Sequence, residues 1–202
     1  MTQALELVRL SDSLWLWQAY DPALKSDLYS TAVRTGPGLF LIDPIPLAPS
    51  CLEELMISVK AVALLVTNLN HPRAAAAFAH QLGAPVFAAA PVAAEFVPGS
   101  CRLIADLEVI APGVSVIAID GAASGESAFH FADEGGTMVV GDALINFEPY
   151  GFTFLPAKYC SDEKAMRLSL RRLLDFSFER LLFAHGTPIL ACARDRLETL
   201  LK

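Results

Sequence analysis

The chain has 202 residues, of which 54% are hydrophobic and 18% charged, and its formal net charge is −7. This composition is too apolar for a disordered chain, and the length suits a single domain with a sizeable core, residues 1–202. The acidic balance, with no run of Lys or Arg, argues against nucleic acid or an anionic membrane as the partner. No apolar stretch reaches the roughly 18 residues of a membrane span.

The cysteines and the N-terminus both predict a cytoplasmic protein. Cys51, Cys101, Cys160 and Cys192 are far apart and form no CxxC pair, so we expect reduced thiols. No basic region followed by an apolar core is visible at the N-terminus, so no secretory signal is predicted. The small charged fraction leaves little polar coating for a monomer, and we therefore expect a homodimer.

The first third of the chain predicts antiparallel strands joined by hairpins, because its apolar residues alternate between turn signals. The strand candidates are Leu14–Tyr20, Leu28–Thr35 and Leu39–Asp43, with a tight turn at Gly36-Pro37-Gly38.

The remainder alternates between strands and helices, a pattern typical of two sheets with outer helices. The predicted helices are 50–59 with Ser50 as N-cap and Glu53 three residues on, His71–Leu82, a short helix opened by Pro91, one that starts at Ser161-Asp162-Glu163, and Cys192–Leu201. The predicted strands are Val62–Thr67, Pro85–Ala88, Val114–Ile119, Ser127–Phe131, Thr137–Val140 and Arg180–Ala184.

Polar residues stand out in the loops that follow several of these strands, where catalytic groups of α/β proteins gather. Four loops carry them, at residues 67–73, 120–126, 141–144 and 185–188. Asp43 follows an earlier strand in the same way. We expect Asp43, Asn68, His71, Asp142 and His185 to meet at one edge of the fold.

Five segments in this order resemble the metallo-β-lactamase superfamily. They are LFLIDPI, LLVTNLNHPRAAAAFAHQLGAPVFAAAP, SGESAFHF, MVVGDAL and LLFAHGTPI. The resemblance covers the chain from about Leu14 to its C-terminus. It implies an α/β (α+β) fold, the αββα four-layer sandwich with two mixed β-sheets and outer helices.

The same resemblance implies that most of the family's metal ligands are missing. In the family, a T-H-x-H-x-D-H motif, a third His, a bridging Asp and a C-terminal His hold two zinc ions. By position, the two leading His become Asn68 and Asn70, the motif Asp becomes Pro72, the last motif His becomes Arg73, and the third His falls near Ala122. Only Asp142 and His185 match the pattern.

Two functions remain open on these grounds. An Asn amide is a poor zinc ligand, Pro offers none, and Arg brings a positive charge where the cation would bind. The first expectation is therefore a non-catalytic protein without a cofactor, which binds an unidentified small molecule or partner or acts in assembly. The alternative is a metal-dependent hydrolase with a rearranged site, in which His71, Asp142 and His185 hold one zinc or iron ion.

Arg73 is predicted to replace the missing charge. We expect it to lie in the first turn of its helix and to pair with Asp142, with Asn68 and Asn70 supplying neutral hydrogen bonds. His71 lies between motif positions, so its side chain is expected to point away and to cap or pack at the helix start. The alternative is a solvent-exposed Arg73, with Asp142 satisfied by backbone N–H groups and water.

Other polar residues are weaker candidates. Glu126 could act as a general base, but a turn residue that accepts hydrogen bonds from nearby N–H groups is the simpler interpretation. Glu148 and Tyr150 could line a pocket or lie in a solvated loop. Cys160 precedes a helix N-terminus, which can lower a thiol pKa, but no partner His is assignable.

Overall fold

Four layers in the order helix, sheet, sheet, helix make up the fold, in a computed structural model that describes residues 2–36 and 38–202. The predicted αββα sandwich is confirmed. The predicted turn at Gly36-Pro37-Gly38 includes Pro37, which lies outside the described residues. No helix in the described part of the chain is long and apolar enough to cross a bilayer.

The first sheet has seven strands, and each strand lies beside its neighbour in sequence. Pairing is antiparallel from β1 to β4 and parallel from β4 to β7. Three helices cover its outer face and bury their apolar residues there. The elements are β1 Val8–Arg9, β2 Leu14–Asp21, β3 Ser26–Thr35, β4 Gly38–Ile42, α1 Pro49–Leu55, β5 Val62–Leu65, α2 Ala75–Leu82, β6 Val86–Ala88, α3 Ala90–Ala93 and β7 Cys101–Leu103.

The second sheet has five strands in the order β14-β11-β10-β9-β8, and only its β11–β14 pair is parallel. Two helices pack on its outer face. A separate hairpin, β12–β13, follows β11. The elements are β8 Val109–Ala111, β9 Val114–Ala118, β10 Ser127–Phe131, β11 Thr137–Val140, β12 Leu144–Phe147, β13 Gly151–Phe154, α4 Glu163–Arg171, β14 Arg180–Phe183 and α5 Ala193–Leu200.

Both faces of each sheet are buried, which explains the high apolar content. In β4, Phe40 and Ile42 face the second sheet while Leu39 and Leu41 face the helices. The rings of Phe40 and Phe131 meet edge to face between the sheets, with centroids 5.6 Å apart. Burying one such side chain stabilises the fold by about 1.5–3 kcal/mol.

Most predicted elements are present, but several boundaries differ for physical reasons. Pro49 opens α1, preceded by Ala48, so Ser50 lies inside the helix and does not cap it. The helix predicted from His71 begins only at Ala75. Strands β1, β7, β8, β12 and β13 were not predicted, because such short strands carry almost no periodicity.

The topology places four polar loops at one edge. Strands β4 and β5 run parallel and end just before Asp43 and Thr67. Strands β11 and β14 are likewise parallel and end just before Asp142 and His185. The carboxyl ends of both pairs meet, so side chains that are far apart in sequence come together.

Candidate metal centre

His71, Asp142 and His185 form a compact cluster of metal-ligating atoms. One ligand atom from each residue lies within 4.8 Å of the others. Oδ1 of Asp142 is 3.2 Å from Nε2 of His71 and 3.4 Å from Nε2 of His185. His71 is buried, whereas the His185 side chain keeps 18% of its surface exposed, so the cluster opens to solvent on the His185 side.

Asp43 holds the His71 ring from behind. Its Oδ2 lies 2.9 Å from Nδ1 of His71, and the same oxygen accepts a hydrogen bond of 2.5 Å from the Thr67 hydroxyl. The Thr67 backbone N–H donates to Oδ1 at 2.8 Å. With Nδ1 engaged by a carboxylate, Nε2 of His71 is turned towards Asp142.

The expectation that His71 points away from the site is therefore wrong. Asn68 makes a tight turn in which its Oδ1 accepts from the Asn70 N–H at 2.8 Å and its carbonyl accepts from the His71 N–H at 3.1 Å. This turn, and the late start of α2 at Ala75, direct residue 71 inward. His71 neither caps nor lies in the helix.

The predicted Arg73–Asp142 ion pair is also wrong. Arg73 precedes α2 in a left-handed backbone conformation with φ of 40°. Its Nη1 donates to the carbonyl oxygens of Tyr29 at 2.6 Å and Asp43 at 3.1 Å. The positive φ turns the side chain under β3 and β4, so its guanidinium is buried there, neither in the cluster nor in solvent.

Asn70 is the residue that satisfies the second oxygen of Asp142. Its Nδ2 donates to Oδ2 of Asp142 at 2.8 Å, in agreement with the predicted neutral hydrogen bonds. Asn68 makes its side-chain bond elsewhere and donates to Oε2 of Glu126 at 2.7 Å. Oε1 of Glu126 accepts from the Ala143 N–H at 3.2 Å. Glu126 does bond an N–H group, but one from another strand end and not from its own turn.

Gly141 allows these side chains to pack against the end of β11. A Cβ at this position would lie 2.5 Å from Oγ1 of Thr67, 2.7 Å from Nδ2 of Asn68 and 2.7 Å from Oε1 of Glu126. Real Cβ atoms essentially never make contacts this short, so an alanine here would force these buried side chains to shift.

The charges of the cluster depend strongly on one another. Burial and the Arg73 guanidinium act to lower the pKa of His71, but Asp142 and Asp43 outweigh them and raise it to about 9. Burial alone would raise the pKa of Asp142, yet the two imidazoles hold it well below its usual range. Burial, together with the negative charge of Asp142, raises the pKa of Glu126 to about 8.

The donor set suits a metal ion of the zinc type. Zn²⁺ binds imidazole nitrogen and carboxylate oxygen at about 2.0–2.2 Å, and three protein ligands leave a fourth position open. Adjacent ligands of a tetrahedral ion are then about 3.3 Å apart, close to the two Asp142 distances. A carboxylate behind a ligating His, as Asp43 is behind His71, is the usual arrangement around such ions.

The other candidates lie outside this cluster. Ala122, near which the family's third His would fall, is buried and offers no ligand. Tyr150 is exposed at the turn between β12 and β13, where its ring meets that of Phe147. The Cys160 sulfur contacts the Leu155 and Pro156 carbonyls and the Met166 sulfur, and burial raises its pKa, so it is not an activated thiol.

Comparisons with known proteins point to one family. A family model described as the metallo-beta-lactamase superfamily matches residues 7–202. No match was found among curated proteins.

Solved structures show the same fold at low identity. The DIM-1 metallo-β-lactamase is 10% identical with a TM-score of 0.74, and the match covers 99% of this chain and 97% of that one. A metallo-β-lactamase from Pontibacter korlensis is 17% identical with a TM-score of 0.72, covering 97% and 98%. A metallo-β-lactamase family protein from Thermus thermophilus is 22% identical with a TM-score of 0.64, covering 96% and 79%.

Proposed function

Since the chain belongs to the metallo-β-lactamase superfamily, we propose that it is a metal-dependent hydrolase with a single metal ion held by His71, Asp142 and His185. The observation that carries this proposal is the convergence of the three ligand atoms within 4.8 Å, at an edge that is open on the His185 side. Zinc or iron fits this set of imidazole and carboxylate donors.

A bound ion of this kind would supply a Lewis acid and a water of lowered pKa. The protein's own residues fix the ligands. Asp43 accepts from Nδ1 of His71 and so selects the tautomer that offers Nε2 as a ligand. Asn70 engages Oδ2 of Asp142, which leaves Oδ1 facing both imidazoles.

The ligand set of this site differs from that of the family. Asn68, Asn70, Pro72 and Ala122 stand where the family has ligands, and no zinc-type donor remains among them. His71 supplies a new ligand from a position where the family has none. A single ion is therefore proposed instead of the family's pair.

Metal titration of the purified chain tests the proposal. Bound metal is first removed with a chelator, and the metal-free protein is then titrated. We expect the parent chain to bind one equivalent of Zn²⁺ or Fe²⁺, and His71→Ala to bind none. The matched control is His80→Ala, since His80 is exposed on α2 and outside the cluster. Hydrolysis of ester, thioester, lactam and phosphodiester substrates is then screened with and without metal. Parent protein that binds no metal would contradict the proposal.

A non-catalytic role in binding a ligand or partner is the second candidate, and Arg73 favours it. A buried guanidinium close enough to lower the pKa of His71 also opposes a cation at that site. In that case the cluster is an internal network in which protonated His71 pairs with two carboxylates. A folded parent protein whose melting temperature does not respond to chelator or to added zinc would favour this role.

A further inference from the structure

A ring of hydrogen bonds starts at Asp142 and ends at Ala143, the next residue in the chain. From Oδ2 of Asp142 it passes to the Asn70 side chain, from the Asn70 N–H to Oδ1 of Asn68, and from Nδ2 of Asn68 to Oε2 of Glu126. Oε1 of Glu126 then accepts from the Ala143 N–H. The loops after β5, β9 and β11 are joined by this ring.

The direction of every bond between Asn70 and Ala143 is fixed by backbone donors. The Asn70 N–H must find an acceptor, so Asn68 presents Oδ1 to it and Nδ2 to Glu126. The Ala143 N–H also needs an acceptor. Residue 126 must therefore accept at both of its terminal atoms. Each oxygen of Glu126 accepts one hydrogen bond and keeps a second lone-pair site, so the side chain can do this with or without a proton, whereas the NH2 group of a Gln side chain cannot accept.

The pair has no room to rearrange. Asn68 and Glu126 are buried, with 0% and 3% of their surfaces exposed. Both side chains pass directly over Gly141, where even a methyl group has no space. A mispaired amide at residue 126 would thus leave a buried donor facing another donor, and Asn68 could not turn over without losing the Asn70 N–H.

We propose that Glu126 is a positioning residue that acts through Asn68 and Asn70 to hold Asp142 with one oxygen free for the metal ion. This role rests on the proposed function, because it is defined by the ligand that it positions.

Two variants test this role. The first removes an acceptor from the hydrogen bonds between Asn68, Glu126 and Ala143, and the second restores a matching set of donors and acceptors. Glu126→Gln places an NH2 group against a donor in either orientation of its side chain, the Asn68 amide in one and the Ala143 N–H in the other. The double variant Asn68→Asp with Glu126→Gln restores every acceptor. The carboxylate introduced at position 68 accepts from both the Asn70 N–H and the amide at position 126, whose carbonyl accepts from the Ala143 N–H. Zinc affinity is measured by competition with a chromophoric chelator, and the melting temperature is measured on metal-free protein.

We expect Glu126→Gln to weaken zinc binding by about 10- to 100-fold, as is usual for residues that orient ligands. The double variant should return to within a few-fold of the parent. A purely structural role would lower the metal-free melting temperature of Glu126→Gln and leave the zinc affinity of the folded protein unchanged, which would overturn the inference. A double variant as weak as the single one would do so too. Parent protein that binds no zinc would instead overturn the proposed function, and the positioning role with it.

Discussion

Nδ1 of His71 lies 2.9 Å from Oδ2 of Asp43, so a buried carboxylate fixes the orientation of a ring whose other nitrogen faces Asp142. This contact turns a residue from a non-ligand position of the family motif into a candidate ligand. Asp43 is buried at the end of β4, where its backbone has a left-handed φ of 47°.

Asp43 is expected to contribute to metal affinity through this contact. Asp43→Asn should weaken zinc binding by about 10- to 100-fold, because the amide no longer holds Nδ1 of His71 as a carboxylate does. Isothermal titration with Zn²⁺ measures the change. Asp27→Asn, at an exposed position on β3, is the matched control and should bind as the parent does. Equal affinity of Asp43→Asn and the parent would contradict the role given to Asp43.

The buried Arg73 guanidinium is expected to contribute to stability. Arg73→Ala should lower the free energy of unfolding by about 2–4 kcal/mol, because it removes two charge-assisted hydrogen bonds to backbone carbonyls. Adding Asp142→Asn should recover none of this loss, since Arg73 does not pair with Asp142. Urea denaturation measures both. Arg9→Ala removes an exposed ion pair and should change stability by less than about 1 kcal/mol.

A side chain at Gly141, beneath the hydrogen-bond network, is expected to cost stability. Gly141→Ala should destabilise the fold by about 1–3 kcal/mol, because its methyl group overlaps Thr67, Asn68 and Glu126. Gly36→Ala is the matched control, since a Cβ there meets no atom within 4 Å. Thermal unfolding of the two variants is compared. A Gly141→Ala protein as stable as Gly36→Ala would show that the network can shift to make room.

His130, outside the metal centre, is expected to make stability depend on pH. Its Nε2 lies 2.8 Å from the Ser177 carbonyl, the ring packs against Phe176, and burial lowers the pKa of His130. The unfolded chain therefore binds more protons than the folded one below about pH 6.5, and stability falls as the pH decreases from there.

His130→Gln removes this titration. Its free energy of unfolding should decline less steeply than that of the parent between about pH 7 and pH 5, as measured by urea denaturation at each pH. Parallel curves for the two proteins would rule out His130 as a source of the acid sensitivity.

The four-layer fold could be predicted from the order of residues alone. Runs such as 39–42 and 138–140 are apolar on both faces, and a strand of that kind must be covered on both faces. Polar residues just after such strands, with Asp43, Asp142 and His185 among them, could also be assigned to one edge, because the loops that follow the strands of α/β proteins gather there. The sequence identifies Glu126 as a candidate base or an acceptor of N–H groups, but its partners Asn68 and Ala143 are remote in sequence and only the structure places them beside it.

The directions of the side chains in the loop after β5 could not be predicted in this way. In a strand or helix, the repeat fixes which residues share a face, but residues 68–74 have neither repeat. Their direction follows from the turn at Asn68 and the positive φ of Arg73, which are set by contacts with Asp43, Asp142 and Tyr29 on three other segments. His71 therefore faces the site and Arg73 lies beneath it, because the groups that they contact are brought together only in the folded chain.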